Sequence, residues 1–352
     1  MKYLISGGSG FLGDELAREL KKQGAWLRNF DLMSSSSVQI FDNEFMGDLR
    51  DLGDCILATK GVDVVFHTAA AVPLIKNNKV FKDTNILGTD NLLRASLLNG
   101  VKKFVFVSSS AVFGFPTSNP ITDMSSRTPF EAYGKSKLSA EEICKSYINQ
   151  NMIIHIVRPR TILGPNRLGL FSVIFRLIEE NAAVPIFNKG RLIYDFIHVE
   201  DLCRALIRVS QLEGNLILNL GSREKFTLLE VLEILITRTE SKSSLVNFPT
   251  WPTKLLLSIA ARIKLLPFAL YQIKLYGEEF YFDDRASWRL LHLTPKFSSA
   301  EAILAAYESY MLEITSLNSV SVHKSRRISS ALKIDLMVWC LIRLNLIYAK
   351  NK

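Results

Sequence analysis

The sequence predicts an α/β fold in which a doubly wound parallel sheet is accompanied by a smaller C-terminal substrate lobe. Two observations support this prediction. Short apolar runs alternate with helical patterns through the first two hundred residues, and a glycine-rich loop joins the first run to the first helical pattern. The chain has 352 residues, of which 48% are hydrophobic and 22% charged, so it is long enough for such a sheet and a second lobe.

The predicted elements follow one another as repeated strands and helices. Strands are expected at 3–6, 26–30, 62–67, 104–108, 153–157 and 217–220, and helices at 12–23, 84–99, 133–150 and 199–211. This alternation is typical of a parallel sheet with helices on both faces. Further helical patterns at 171–181 and 227–238 are expected to cover a ligand from the second lobe.

Glycines at positions 7, 10 and 13 span the junction of the first predicted strand with the first predicted helix. Without a Cβ atom, the backbone at Gly7, Gly10 and Gly13 can approach a pyrophosphate closely. The helix start at Phe11 and Leu12 offers N–H groups and a partial positive charge to the same phosphates. The position of the loop favours a Rossmann-type dinucleotide site over a plain turn.

Acidic residues near the second strand predict which dinucleotide binds. Asp31 ends that strand, where a carboxylate accepts hydrogen bonds from the adenosine ribose and repels a 2′-phosphate, so we expect NAD. NADP would require Arg28 to point into the site, and the alternation along the strand leaves its direction open. Asp48 and Leu49 follow as a second loop expected near the adenine, with an exposed turn as an equal alternative.

A tyrosine and a lysine four residues apart begin the third predicted helix. Tyr133 and Lys137 therefore lie on one helix face, where a cation lowers the pKa of a phenol by stabilising the phenolate. The pair alone is common on solvated helices. The preceding strand, however, delivers the hydroxyls of Ser108, Ser109 and Ser110 at its carboxyl end, where ligands of open α/β sheets bind.

At these residues the chain resembles the extended short-chain dehydrogenase/reductase superfamily, specifically its NAD-dependent epimerase/dehydratase branch. The resemblance covers residues 1–315. It includes the glycine loop, Asp31, Asp48-Leu49, His67 to Ala70, Asn85, Gly88-Thr89, the serine strand, Tyr133, Lys137, Arg158-Pro159 and the segment from Asp195 to Asp201. These motifs together are specific to the family.

The resemblance implies a role for each residue of the site. Tyr133 takes the proton from a substrate hydroxyl, Ser109 orients that hydroxyl, and Lys137 tunes the tyrosine and holds the nicotinamide ribose, while the hydride goes to NAD. Ser108 and Ser110 are the alternatives to Ser109. The resemblance also places Ala69, Ala70 and Pro159 beside the cofactor, although tight packing explains the two alanines equally well.

The predicted domains follow from the elements and motifs. An NAD-binding domain is expected at 1–164 plus 191–222, a substrate-binding lobe at 165–190 plus 223–318, and a basic apolar tail at 319–352. The formal charge of +9 is concentrated in this tail, because 323–352 holds seven basic residues and one acid. A nucleic-acid partner is therefore not expected.

Two positions depart from the nucleotide-sugar epimerases of this branch. Thr161 replaces an asparagine and Tyr194 an arginine that serve the sugar diphosphate, although Arg160, Arg167 or Arg191 could take over. Dehydratases follow the catalytic hydroxyl with an acidic pair, which is missing here. A competing likeness to the 3β-hydroxysteroid dehydrogenase branch rests on the apolar, basic segments 251–276 and 334–348.

Three functions follow in order of preference. The first is an NAD-dependent epimerase or oxidoreductase acting on a hydroxyl-bearing carbon of a nucleotide-sugar-like small molecule. The second is a membrane-associated dehydrogenase of a sterol or lipid alcohol, and the third is an NAD-binding scaffold without turnover. Membrane contact through 251–276 or 323–352 and a homodimer contact remain open alternatives for the apolar segments.

Cysteines and histidines give no sign of a metal site or a disulfide framework. Cys55, Cys144, Cys203 and Cys340 are far apart in sequence, and no C-x-x-C pair occurs, so a reducing compartment is expected. No signal peptide precedes the first strand, which predicts a cytoplasmic protein. The histidines at 67 and 198 lack partners at ligand spacing and are expected to be structural.

Overall fold

Strands and helices alternate along the chain as the sequence predicts. The computed structural model describes residues 1–36, 39–72, 78–148, 150–167, 171–253, 255, 258 and 278–319. The strands are β1 (Lys2–Ser6), β2 (Trp26–Asp31), β3 (Asn43–Met46), β4 (Val64–His67), β5 (Lys103–Val107), β6 (Ile153–Pro159), β7 (Thr161–Leu163), β8 (Val184–Phe187), β9 (Ile193–Tyr194), β10 (Phe196–His198), β11 (Leu216–Leu220), β12 (Phe226–Thr227) and β13 (Leu245–Phe248).

The helices lie between these strands and after them. They are α1 (Phe11–Lys22), α2 (Leu52–Thr59), α3 (Gly88–Leu98), α4 (Ala132–Ser146), α5 (Phe171–Glu179), α6 (Val199–Gln211), α7 (Leu228–Arg238), α8 (Arg285–Leu290) and α9 (Ser299–Ser319). A helical turn at Asn78–Val80 and a π-helical segment at Phe81–Leu87 lead into α3, and 3₁₀ turns occur at Ser110–Phe113 and Asn188–Gly190.

Seven strands form one parallel sheet in the order β3-β2-β1-β4-β5-β6-β11. Two apolar clusters cover its two faces, one built on α1 and α6 and the other on α2, α3 and α4. Every residue of β4 and β5 is buried, because helices cover both faces of the sheet. Strands in this position are rich in apolar side chains on both faces. The predicted doubly wound Rossmann-type sheet is confirmed.

The chain divides into two units. Unit 1 comprises 1–162, 197–223 and 281–296, and unit 2 comprises 163–196, 224–280 and 297–352. Within unit 2, α5, α7 and α9 share an apolar core, while β9 pairs with β12 and β8 with β13.

The structure differs from the sequence-based expectation at several places. Residues 191–196, expected in the NAD-binding domain, belong to unit 2, and helix α2 was not predicted. Residues 281–296 belong to unit 1 and not to the second lobe, because Trp288 and Leu291 pack into the cluster of α1 and α6. Strand β3 was not predicted, since its residues are exposed or half-buried and show no apolar run. An edge strand needs few apolar side chains, and the signal in the sequence is correspondingly weak.

Several sequence-based expectations concern residues outside the described part of the chain. These are the tail at 323–352 with its apolar stretch 334–348, and most of the segment 251–276. Among the described helices, none combines the length and the apolar character that a membrane crossing requires. Cys55, Cys144 and Cys203 are buried free thiols.

Candidate active site

The carboxyl ends of the central strands meet at the edge of the sheet where the chain reverses its winding. Strands β1 and β4 are neighbours, and Ser6 at the end of β1 pairs with His67 at the end of β4 and with Phe30 in β2. The chain continues from β1 toward β2 on one side and from β4 toward β5 on the other. Such a topological switch point opens the crevice in which α/β proteins bind ligands.

The glycine loop lies at this switch point and is too tightly packed for side chains. Gly7 has φ +75°, and a Cβ atom there would lie 2.7 Å from the Cα atom of Ala69. A Cβ atom at Gly13 would collide with the carbonyl oxygen of Gly7. Helix α1 starts after Gly10 without a side-chain cap, which is the arrangement of an anion-binding helix start. The loop and the helix start at Phe11 therefore fit a dinucleotide pyrophosphate.

The segment that follows β4 and packs against Gly7 of the glycine loop is held by Asn85. Its side chain accepts a hydrogen bond from Ala71 N at 2.7 Å, donates to Ala71 O at 3.1 Å, and donates to Ser136 Oγ on α4 at 2.9 Å. The half-buried Ala69 and Ala70 directly precede this anchored residue. The two alanines predicted beside the cofactor thus lie directly before a backbone position that Asn85 holds by two hydrogen bonds.

Asp31 and Arg28 lie on the same strand but have separate contacts. Asp31 is half-buried, and its carboxylate accepts a hydrogen bond from Ser9 N in the glycine loop at 3.2 Å. Arg28 instead donates to the carbonyl oxygens of Ala58 and Lys60 at the end of α2, at 2.5 and 2.9 Å. The condition that would have favoured NADP is therefore not met.

The second acidic loop makes mainly local contacts. Arg50 Nε donates to Asp48 Oδ2 at 2.9 Å, and this hydrogen bond lowers the pKa of Asp48. Leu49 is buried in the apolar cluster, and its carbonyl oxygen accepts from Asn91. An adenine contact at Asp48 and Leu49 stays a prediction.

The three serines after β5 differ in their contacts. Ser108 is buried and donates to Glu141 Oε1 at 2.5 Å, while the buried Ser110 accepts from Arg160 Nη1 at 2.8 Å. Ser109 is half-buried and accepts from Ala111 N at 3.1 Å. The hydroxyls of Ser108 and Ser110 are thus tied to charged side chains in the interior, whereas that of Ser109 accepts from a backbone N–H, and the catalytic role of Ser109 stays a prediction.

Helix α4 carries Tyr133 in its first turn and Lys137 one turn later. Tyr133 is half-buried and meets Phe81 edge to face, with ring centroids 6.3 Å apart. Lys137 is 3% exposed and donates to Val107 O, the last carbonyl of β5, at 2.8 Å. Burial lowers the pKa of Lys137 to about 8, although Cys144 and Glu141 act in the opposite direction.

Three successive turns of α4 contact the end of β5 and the serine loop, residues 108–114, which follows this strand. A Cβ atom on Gly134 would lie 2.5 Å from Ala111 O, Lys137 binds Val107 O, and Glu141 binds Ser108. These contacts bring the proposed catalytic serine, tyrosine and lysine to the same edge of the sheet. Their spacing along one helix face follows from the period of 3.6 residues.

Glu141 was not singled out from the sequence, although it lies four residues after Lys137 on the same face. Both of its carboxylate oxygens accept from Arg158 on β6, Oε1 from Nε at 2.8 Å and Oε2 from Nη2 at 2.7 Å. Arg158 is 2% exposed and Glu141 is fully buried. A buried ion pair of this geometry joins β6, α4 and β5 below the candidate active site.

The two histidines of the motifs have structural contacts. His67 is fully buried between Ser6 Oγ at 2.7 Å and Thr89 Oγ1 at 2.9 Å, and burial lowers its pKa to about 3. His198 accepts from Glu200 N and caps α6. Among the described residues, no cluster of three His, Cys, Asp or Glu side chains could hold a metal ion.

A family model described as "NAD dependent epimerase/dehydratase family" matches residues 3–221. The chain belongs to this family. It is accordingly an NAD-dependent enzyme of the extended short-chain dehydrogenase/reductase type, and the matched residues include the glycine loop, the serine loop and α4. The resemblance inferred from the sequence and the choice of NAD are both confirmed.

Curated relatives of this family member act on different substrates by their names. The uncharacterized protein y4nG of Sinorhizobium fredii is 35% identical over 89% of this chain and 80% of its own length. GDP-mannose 3,5-epimerase 1 of rice is 26% identical over 71% of each chain. Human sterol-4-alpha-carboxylate 3-dehydrogenase, decarboxylating, is 28% identical over 59% of this chain and 57% of its own.

A solved structure confirms the fold. MoeE5 in complex with UDP-glucuronic acid and NAD superposes with a TM-score of 0.73 over 89% of this chain and 100% of that chain, at 23% identity. Because similarity at this level of identity reports the architecture alone, the overall fold is what the two proteins share.

The residues expected to recognise the substrate differ in their exposure to solvent. Arg160 is buried beside Ser110, whereas Arg167 and Arg191 are exposed. Thr161 is exposed in β7, and Tyr194 in β9 stacks on Phe196 with ring centroids 6.1 Å apart.

Proposed function

We propose that this enzyme moves a hydride between NAD and a hydroxyl-bearing carbon of a nucleotide-sugar-like substrate and, in an epimerisation, returns it to that carbon. The attachment of Ser109, Tyr133 and Lys137 to one edge of the sheet, through three successive turns of α4, carries this proposal. The similarity to GDP-mannose 3,5-epimerase over 71% of the chain supports the substrate class. Unit 2 is the proposed substrate-binding lobe.

The chemical roles in this proposal are those that the family resemblance implies. Tyr133 accepts the proton of the substrate hydroxyl, and Ser109 orients that hydroxyl from the opposite side. The ammonium of Lys137, held by Val107 O, stabilises the phenolate. NAD supplies the hydride acceptor when it is bound beside the glycine loop. Ser108 and Ser110 position the loop and do not contact the substrate in this proposal.

The second candidate is oxidation of a sterol or lipid alcohol with net release of NADH. Its support is the similarity to the human sterol dehydrogenase, together with Thr161 and Tyr194, which replace the residues expected for a sugar diphosphate. A purified-protein assay separates the two candidates. We expect UDP-glucose, UDP-glucuronic acid or GDP-mannose to give an isomeric sugar nucleotide without accumulation of NADH. Steady NADH formation from a 4α-carboxysterol, without any sugar isomerisation, would favour the second candidate.

The same assay tests whether the chain is catalytic at all. Tyr133→Phe removes the phenolic proton acceptor but leaves the glycine loop and Asp31 intact. We expect turnover to fall by a factor of about 10² to 10⁴, the usual contribution of a general base, and NAD affinity to stay within about twofold. Wild-type turnover in this variant would contradict the role of Tyr133. No turnover by the wild type with any probe, together with NAD binding, would favour the scaffold without turnover.

A further inference from the structure

A glutamate caps the helix that carries Tyr133. Both carboxylate oxygens of Glu131 accept backbone hydrogen bonds at the start of α4, Oε2 from Tyr133 N at 2.6 Å and Oε1 from Gly134 N at 2.5 Å. Helix N-caps are most often Ser, Thr, Asp or Asn, because their short side chains reach these N–H groups. A neutral hydroxyl can cap a helix start, and a glutamate in this position brings an ionisable carboxyl group close to the proposed catalytic tyrosine.

The carboxylate of Glu131 lies beside the closely packed Gly134. A Cβ atom built on Gly134 would lie 2.9 Å from Glu131 Oε1, 2.5 Å from Ala111 O and 3.0 Å from Pro129 Cβ. The half-buried Glu131 thus accepts from Gly134 at the point where Gly134 packs against Ala111 and Pro129. Burial raises the pKa of Glu131, while the hydrogen bonds from Gly134 and Tyr133 and the charge of Lys135 act against this effect.

The charge of Glu131 opposes two features that favour a phenolate at Tyr133. The uncapped end of a helix carries a partial positive charge, and the ammonium of Lys137 lies one turn further along α4. A carboxylate at the N-cap cancels part of this positive field. A tyrosine that must both accept and return a proton works best when its ionisation lies near the working pH.

We propose that Glu131 is a positioning residue that fixes Tyr133 at the start of α4 and disfavours its phenolate, so that it counterbalances Lys137. This inference rests on the proposed role of Tyr133 as proton acceptor. Other charged groups lie on the elements around the tyrosine. These groups are located by their elements: Lys135 and Lys137 lie on the helix itself, Lys82 and Asp83 on the packed π-helical segment, and Arg160, which follows β6, donates to Ser110 in the serine loop.

Ultraviolet difference titration of the phenolate tests the inference without any substrate. The full chain with bound NAD is titrated, and the signal of the same protein carrying Tyr133→Phe is subtracted, so that the remaining nine tyrosines cancel. In Glu131→Gln we expect Tyr133 to ionise about 0.5 to 1 pH unit lower than in the wild type. The other charged groups are the same in both proteins and do not contribute to the difference.

Three variants separate charge from capping. Glu131→Ser keeps a neutral cap and is expected to show the same downward shift at an unchanged melting temperature, whereas Glu131→Asp keeps the charge and is expected to titrate like the wild type. Glu142→Gln removes an exposed carboxylate of the same helix and is the matched control. Wild-type titration in both neutral variants, or an equal shift in Glu131→Asp, would overturn the inference. Undiminished turnover in Tyr133→Phe would refute the proposed function and leave the titration result standing.

Discussion

At the scale of single residues, Lys137 combines a charged group with a nearly fully buried position. Folding lowers the pKa of Lys137 to about 8, whereas in an unfolded chain a lysine keeps its proton to about pH 10. Between these values the unfolded chain binds the additional proton. The free energy of unfolding therefore rises with pH between about pH 8 and about pH 10. Below about pH 8 the buried Lys137 is protonated, and its charge lowers the stability of the folded protein.

Lys137→Met is expected to remove this pH dependence. As the pH rises from about 7 to about 9.5, the wild type should gain thermal stability relative to the variant, because only the wild type loses a buried charge. Melting temperatures of both proteins at the two pH values give this double difference. Lys135→Met, at an exposed position of the same helix, should retain the wild-type gain. An identical gain in wild type and Lys137→Met would contradict the burial argument.

Asp31 is the residue predicted to select NAD over NADP. Its carboxylate is half-buried beside the glycine loop, and Arg28 is held at the end of α2. We expect Asp31→Asn to weaken NAD binding about tenfold, since a charged acceptor is lost, and to leave NADP binding unchanged or stronger. Calorimetric titration with each dinucleotide measures the ratio of the two affinities. The exposed Asp42→Asn is the control, and an unchanged ratio in Asp31→Asn would count against this assignment.

At the scale of elements, α4 and β5 are joined by buried polar contacts as well as apolar packing. Ser108 and Arg158 share the carboxylate of Glu141, and Lys137 binds the last carbonyl of β5. Buried polar groups cost free energy unless their partners are in place, so this network specifies one register between strand and helix. The serine loop is thereby fixed relative to the helix that carries Tyr133.

Ser108→Ala breaks one link of this network and keeps the ion pair of Arg158 with Glu141. We expect a loss of about 1 to 2 kcal/mol of stability and faster hydrogen exchange in 109–114, because the loop loses its anchor. Ser210→Ala also removes a buried hydroxyl, one that bonds to Ile207 O within its own helix. It should leave exchange in 109–114 unchanged, and equal exchange in the two variants would refute the anchoring role.

At the scale of the whole molecule, buried histidines link folding to acid. Burial lowers the pKa of His67 to about 3 and that of His155 to about 4. Below about pH 6.5 an unfolded chain protonates both residues, whereas the folded protein does not. Stability is therefore lost as the pH falls from about 6.5 toward these lower values.

His67→Gln should flatten this loss. The fall in melting temperature between about pH 7.5 and pH 5 is expected to be smaller than in the wild type, because one group that the unfolded chain protonates is gone. Thermal scans at the two pH values check the expectation, with the exposed His292→Gln as the control. A fall as large as that of the wild type would contradict the assignment of His67 as a buried neutral side chain.

Local patterns accounted for much of the fold and the candidate site. Apolar runs predicted six of the sheet strands, because a strand buried on both faces must be apolar throughout. The bounds of α6 were predicted to the residue, since its capping and acidic first turn are local signals. Strand β3 and the roles of Glu131 and Glu141 were missed, because each depends on partners that are distant in sequence or on an edge position.

The sequence by itself determined the parallel sheet, the glycine loop, the choice of NAD and the pairing of Tyr133 with Lys137, since glycine spacing, a strand-ending acid and helical periodicity act within a few residues. Only the tertiary structure decided that Arg28 is held at the end of α2 and that Ser108 and Ser110, unlike Ser109, bond to buried charged side chains. Both depend on hydrogen bonds between side chains far apart in the chain, and such bonds exist only after the sheet and its helices have packed.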